Sequence, residues 1–469
     1  MAFRLPEQTP GGATVGTRDP IARISSKMLH RRRSSLPTPA WASRADSERR
    51  RRRRCRGAGA ALTIAWSTVV LVMLAVTNSG TSPRQPQVLT SDRFIYDEQN
   101  APFLNETVAE YRTRLNSVDI DDDDTIFVSI ATYRDDACPG TIQTMMTAAS
   151  RPDRVFVGLV DQTNLDDPHT DDIQCHARLP DDIRKRVRLV RMRHVNARGP
   201  THARHIASKL WDGERFFLMI DAHSTFRDGW DRILIDNIRQ LPNPSKAVIS
   251  HYPPGDAGEL HKDAPVTWIC KAEDHEQSPP GLFVLAQDYC QEPNWSPHLR
   301  TRPRGTCSSA FIGGGLFFLH SSFLRDVPFD PFLPYLFHGE EVLIAARLYT
   351  SGYDMYAPAQ NVLSHVYGGR DKNIYDDHAQ NGMGVDASGA EARARYILGL
   401  ALADDMDVDL RGIEDGLGMG NVRPLQEYMA FAGLGKASDK VYENRCLQRF
   451  ETHGWVDAYG PAPGETDGS

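Results

Sequence analysis

The sequence predicts an α/β fold: a mostly parallel central sheet flanked by helices, preceded by one N-terminal transmembrane helix. Three observations predict it. Between residues 125 and 250, apolar runs too short for a helix core alternate with stretches of helical period. Acids, histidines and other polar residues gather just past the carboxyl ends of those runs, where ligands collect in open α/β sheets. Upstream, Gly57 to Thr77 passes through 21 positions without a charged residue.

The chain has 469 residues and a net charge of −7, enough length for a large core and one or two domains. Residues 1–56 are rich in Pro, Ser and Arg and lack apolar periodicity, which predicts a disordered tail. Their basic run, Arg49 to Arg54 with Arg56, has the composition of a nucleic-acid patch, but it abuts the uncharged segment. At about 1.5 Å per residue, 57–77 spans the roughly 30 Å hydrocarbon layer, and it is too long and too far from the start for a cleaved leader. Arginines on its N-terminal flank put the tail in the cytoplasm. The expectation is a single-pass type II protein of the Golgi or ER membrane, luminal beyond residue 77 and without a nucleic-acid partner. Six cysteines follow the segment (Cys138, Cys175, Cys270, Cys290, Cys307 and Cys446), an even number that suits disulfides of unassigned pairing. Asn105-Glu106-Thr107 and Asn294-Trp295-Ser296 are glycosylation sequons.

Residues 78–123 read as a stem, with a short helix near Val108 to Leu115. Thr125 to Ala131 is the first strand, and Thr132 to Asp135 a polar loop after it. Pro139 to Ser150 suits a helix with proline in its first turn. Arg154 to Val160 is a strand ending in Asp161, Val187 to Met192 another, and Thr201 to Trp211 a helix. Phe216 to Ile220 is a buried strand; a helix over Arg227 to Gln240 and a strand over Ala247 to Ser250 follow. Residues 253–307, rich in proline and holding three cysteines, read as an insertion or acceptor-facing part. Ala310 to His320 returns to strand character around Gly313, Gly314 and Gly315. Gly339 to Ser351 is a helix, Asn361 to Tyr367 a last strand-like piece, and Ala390 to Ala403 a helix. The expected catalytic domain is 124–370; 371–469 is an extension to which no chemistry is assigned.

Asp221 and His223 lie two apart at the end of the Phe216 strand, so an extended backbone sends both side chains to one face. One oxygen and one nitrogen then face a single divalent cation; a capping acid beside a surface histidine is the plainer alternative. Arg198 and Arg204 flank a helix start at Gly199-Pro200, where N–H groups and a cation suit phosphate, or else form a solvated face. His202 and His205, on the same helix, are read as structural. The three glycines remove side chains where backbone approaches something closely. Glu340 and Glu341 either complement the helix dipole or serve a hydroxyl, as a hydrogen-bond partner or base.

The ordered series IFVSIATYRDD, ARGPTHAR, LMIDAHSTFRDGWD, GGGLFFLH, HGEEVLIAARLYTSGYDMYAP and SHVYGGR resembles the hydroxyproline N-acetylglucosaminyltransferases over roughly residues 124 to 370. It is more distantly similar to the polypeptide GalNAc-transferases. The resemblance implies the GT-A fold of nucleotide-diphospho-sugar transferases, UDP-GlcNAc as donor, a retaining reaction and a Mn²⁺ or similar ion. The acceptor would be a hydroxyl of hydroxyproline, Ser or Thr, or of a glycan. It makes His365 a third metal ligand beside Asp221 and His223. It puts Thr132, Tyr133 and Arg134 at the uridine pocket, Asp161 at the base or ribose, Arg198 and Arg204 near phosphate, Gly314 at the sugar, and Glu340 or Glu341 with Asp221 in the catalytic machinery. UDP-GalNAc or UDP-galactose as donor is an alternative, as is a non-catalytic, membrane-tethered glycan-binding protein. The membrane segment departs from the soluble, cytoplasmic members of the family and leaves the acceptor open.

Overall fold

The computed structural model describes residues 94–167, 171–261, 263–273, 281–290, 307–368, 372–400 and 407–434. The expected tail, the 57–77 segment, the Asn294 sequon and Cys446 lie outside them. Among the described residues no helix is long and apolar enough to cross a membrane.

The strands are β1 (Ile95–Asp97), β2 (Ile126–Tyr133), β3 (Val155–Thr163), β4 (Val187–Arg193), β5 (Phe216–Asp221), β6 (Ser224–Phe226), β7 (Ala247–Ser250), β8 (Val266–Glu273), β9 (Val284–Cys290), β10 (Ser308–Ser309), β11 (Phe317–His320), β12 (Asp354–Tyr356) and β13 (Leu363–His365). The principal helices are α1 (Val108–Ser117), α2 (Cys138–Ala148), α3 (Pro200–Ser208), α4 (Trp230–Ile238), α5 (Glu340–Thr350), α6 (Ile374–Gln380), α7 (Ser388–Ile397) and α8 (Leu425–Ala432). Nine strands form one sheet in the order β1-β4-β3-β2-β5-β11-β7-β12-β10. The first five in that order run parallel. β11 lies antiparallel between β5 and β7, so the sheet is mostly, not wholly, parallel.

β5 shows why the apolar runs are continuous. Phe216, Leu218 and Ile220 enter one core, with Ile142 and Met145 of α2 and Trp230 and Leu234 of α4. Phe217 and Met219 enter the other, with Ile206 and Ala207 of α3 and Leu343 and Ala346 of α5. A strand covered on both faces has no polar face to show. Gly158 of β3 is forced by packing: a Cβ there would stand 2.2 Å from the Phe127 ring.

Three boundaries differ from expectation. β2 and β3 run on through Tyr133 and Thr163, pairing Thr132 with Asp161 and Tyr133 with Gln162, where a polar loop was expected. These polar residues stay in the sheet because it satisfies them: Gln162 Nε2 donates to the Thr132 carbonyl at 2.9 Å. Conversely, only Phe317–His320 of the expected 310–320 strand joins the sheet as strand. The 253–307 insertion holds an antiparallel pair, β8 with β9.

The stem and the C-terminal extension, from Phe94 to Leu434, belong to the same compact unit as the sheet. α1, opened by a Thr107–Glu110 capping box, buries Tyr111 and Leu115; α8 buries Tyr428 and Ala432. Disulfides join Cys138 to Cys175 and Cys290 to Cys307, and Cys270 is disulfide-bonded as well.

Candidate metal centre

Asp221 is the last residue of β5, not the first of a loop. It leaves the sheet on the α3 side, continuing the alternation of Phe217 and Met219. His223 follows in the turn to β6, and the β6–β13 ladder sets His365 opposite Ser224. Two backbone bonds lock that junction: Val366 N to the His223 carbonyl at 3.1 Å, and His365 N to the Pro254 carbonyl at 2.9 Å.

Asp221, His223 and His365 thereby converge, each offering one ligand atom within 4.8 Å of the others. His365 Nε2 lies 3.0 Å from Asp221 Oδ2 and 3.0 Å from His223 Nε2. Two buried imidazole nitrogens aimed at each other beside a carboxylate form a donor set that a cation satisfies better than a single shared proton. One carboxylate and two imidazoles are hard-to-borderline donors, which suits Mn²⁺ and comparable divalent ions. His223 Nδ1 is 2.7 Å from Asp135 Oδ2, which leaves its Nε2 for the centre.

Arg204 of α3 reaches the same point. Its Nη2 donates to Asp221 Oδ1 at 3.1 Å and its Nη1 to Glu340 Oε2 at 2.6 Å. Gly314 makes the passage possible, since a Cβ there would come within 2.8 Å of Arg204 Nη2. Burial opposes charge on Asp221, but the His365 hydrogen bond and the Arg204 guanidinium hold its carboxyl well below the usual range. Burial raises Glu340, with Arg204 opposing. Glu341 accepts the Gly314 N–H at 2.6 Å and the Tyr252 hydroxyl, yet burial still pushes it up to about 7.

The other expected residues divide. Thr132 and Asp161 stand side by side at the ends of β2 and β3. Burial pushes Asp161 up to about 7 against N–H groups of Cys175 and His176, and its Oδ1 is left unpartnered. Arg134, expected as a nucleotide contact, is committed instead to carboxylates: Asp172 at 2.8 Å and Asp377 of α6 at 2.6 Å. Arg204, expected at phosphate, is spent on Asp221 and Glu340; a phosphate there would compete with two carboxylates already bonded. Arg198 is exposed on a separate cavity of about 630 Å³, whose wall includes Glu106, His202 and Lys209 but neither Asp221 nor His223. His205 is structural as expected, its Nδ1 2.7 Å from the Phe329 carbonyl.

Sequence reasoning missed Asp135, Tyr252, Asp172 and Asp377 as site residues. Asp135 sits in a quoted motif, and its only local sign is an acid ahead of a helix start. Asp377 meets Tyr133 and Arg134 from over 240 positions away, without a local sign.

A family model described as Glycosyltransferase (GlcNAc) matches residues 125–182 and 174–438. No curated protein matches. Among solved structures, GalNAc-T7, crystallised with UDP, GalNAc and Mn²⁺, is similar at 14% identity and a TM-score of 0.44, over 65% of this chain and 56% of that one. This chain thus matches little more than half of that transferase's length. The mannosyltransferase PcManGT from Pyrobaculum calidifontis, in complex with GDP-Man and Mn²⁺, is similar at 14% identity and a TM-score of 0.34, over 70% of this chain and 77% of that one. Likeness at this level bears on neither activity nor ligand.

Proposed function

The chain belongs to the Glycosyltransferase (GlcNAc) family and is a glycosyltransferase, and from that premise we propose that it transfers GlcNAc from UDP-GlcNAc to a hydroxyl of a protein or glycan, with retention, on a GT-A fold. The observation that carries this reading is the convergence of Asp221, His223 and His365 at the carboxyl end of the sheet. These three side chains hold Mn²⁺ or a similar divalent ion, which when bound supplies Lewis-acid stabilisation to the donor diphosphate. Arg204 keeps Asp221 ionised and fixes its orientation, and Glu340 fixes Arg204. Thr132, one strand from Asp221, and Asp161, two strands away, line the nucleotide end. Glu341, tethered by Gly314 and Tyr252, presents a carboxyl poised near neutrality to a sugar or acceptor hydroxyl. With retention no separate inverting base is needed, and the protein supplies positioning and electrostatics.

The compartment follows the same reading: a type II protein of the Golgi or ER membrane, catalytic part luminal. The disulfides Cys138–Cys175 and Cys290–Cys307 support an oxidising environment. The test is UDP release by the full chain in detergent, over a panel of UDP-sugars with and without Mn²⁺. Metal-dependent release from UDP-GlcNAc is expected. No release from any donor by folded protein overturns the reading, and preference for UDP-GalNAc or UDP-galactose revises the sugar. Protease protection in sealed microsomes tests the topology; digestion of the C-terminal part reverses it.

A further inference from the structure

The turn that leads into α2 and the first turn of that helix grip the metal centre from outside at three points. Asp135 Oδ2 meets His223 Nδ1 at 2.7 Å, and both side chains are largely buried. Asp135 Oδ1 accepts the Ala137 N–H at 3.0 Å, so the carboxylate cannot swing away without exposing an amide. Thr141, buried, brackets His223 in the backbone: its Oγ1 donates to the Ala222 carbonyl at 2.8 Å and accepts the Ser224 N–H at 2.9 Å. The Cys138–Cys175 disulfide lies between these two grips and pins the helix start.

We infer that Asp135 and Thr141 are positioning residues that set the tautomer and aim of His223 as a metal ligand; this rests on reading Asp221, His223 and His365 as a divalent-cation site. An ionised carboxylate only accepts, so His223 must donate from Nδ1 and turn the lone pair of Nε2 toward Asp221 and His365. The same hydrogen bond makes the imidazole a stronger donor to the cation. Thr141 holds the backbone on both sides of the ring, so ring orientation and chain path are fixed by one helix and the turn that leads into it. Asp135→Asn reverses the logic with little change of shape. The amide oxygen keeps the Ala137 N–H, the NH₂ faces His223 Nδ1, and the ring is forced into the Nε2–H tautomer, which places a proton where the cation belongs.

The experiment titrates Mn²⁺ alone into the full chain, following the electron paramagnetic resonance signal of free Mn²⁺, for the wild type, Asp135→Asn, Thr141→Val and Asp221→Ala. Asp135→Asn is expected to weaken Mn²⁺ binding roughly 10- to 100-fold, Thr141→Val less, and Asp221→Ala to abolish it. Metal-free melting midpoints of wild type and Asp135→Asn should agree closely, and the gain in midpoint on adding Mn²⁺ should shrink in the variant. If Asp135→Asn binds Mn²⁺ as tightly as the wild type while Asp221→Ala does not bind, the inference falls and the metal site stands. If the wild type binds no Mn²⁺, or Asp221→Ala binds normally, both fall. Should Asp135→Asn not fold, the wild type still decides: ¹⁵N-histidine spectra without metal must show His223 carrying its proton on Nδ1, and an Nε2–H resonance overturns the inference.

Discussion

Asp221 and Asp161 stand near the ends of strands on either side of β2, on opposite faces of the sheet, and behave oppositely. Each ends or nearly ends a strand flanking β2, opposite the neighbouring residues Ala131 and Thr132. Burial acts against the charge of both. Asp221 has Arg204 and His365 beside it and is held well below the usual carboxylate range. Asp161 meets the backbone N–H groups of Cys175 and His176, with Arg191 acting only as a weaker charge nearby, and burial pushes it up to about 7. The residue type does not decide which acid is a permanent anion; the nearest cationic partner does. A fixed anion suits a cation site. An acid poised at neutrality suits a polar ligand to which it can donate or accept.

The comparison breaks most sharply at Asp221. Asp221→Ala should lower Mn²⁺-dependent turnover by roughly 10³-fold, several kcal/mol of transition-state stabilisation, measured as UDP release under saturating donor; retained turnover would remove Asp221 from the centre. Next comes its partner. Arg204→Met leaves Glu340 buried without its counter-charge and should cost about 3 kcal/mol of stability, read from urea denaturation, together with weakened Mn²⁺ binding. Gly314→Ala pushes a methyl against the Arg204 guanidinium, at a distance of 2.8 Å before relaxation. It should cost about 1 kcal/mol or more, with turnover affected more than melting.

A pH-dependent effect sharpens the other side. The folded-state pKa of Asp161 is raised from 3.8 to about 7. Its contribution to stability is therefore full below pH 3.8, declines as pH rises through the folded value, and is lowest above about 7. Asp161→Asn cannot ionise, so relative to the wild type it should gain stability between pH 5 and pH 8. Urea midpoints at the two pH values check this; parallel shifts in both proteins would contradict it.

The sheet was legible because its strands are apolar on both faces, and Asp221 and His223 because ligand chemistry concentrates at strand ends; His365 joined them only through the family resemblance. Strand ends were less so. Thr132, Tyr133, Asp161 and Gln162 look like loop residues until cross-strand partners are seen. Arg204 looked like a phosphate ligand because Glu340, which claims it, lies 136 positions away. Arg134 is alike in that its partners, Asp172 and Asp377, are remote in the sequence. Asp135 was hidden differently: its partner is a ring whose orientation is a property of the fold.

β11 runs against its neighbours, with Phe317 level with Met219 of β5 and Ser250 of β7. The chain between β7 and β11 therefore leaves the sheet and returns to it at the end that carries Asp221, adding on the way only the two-residue β10 against β12. Between Pro254, which holds His365, and β10, this segment can change length without shifting the register of any strand of the nine-stranded sheet. The arrangement separates the frame from its wall: one loop can be remodelled around the centre while Asp221 stays where it is.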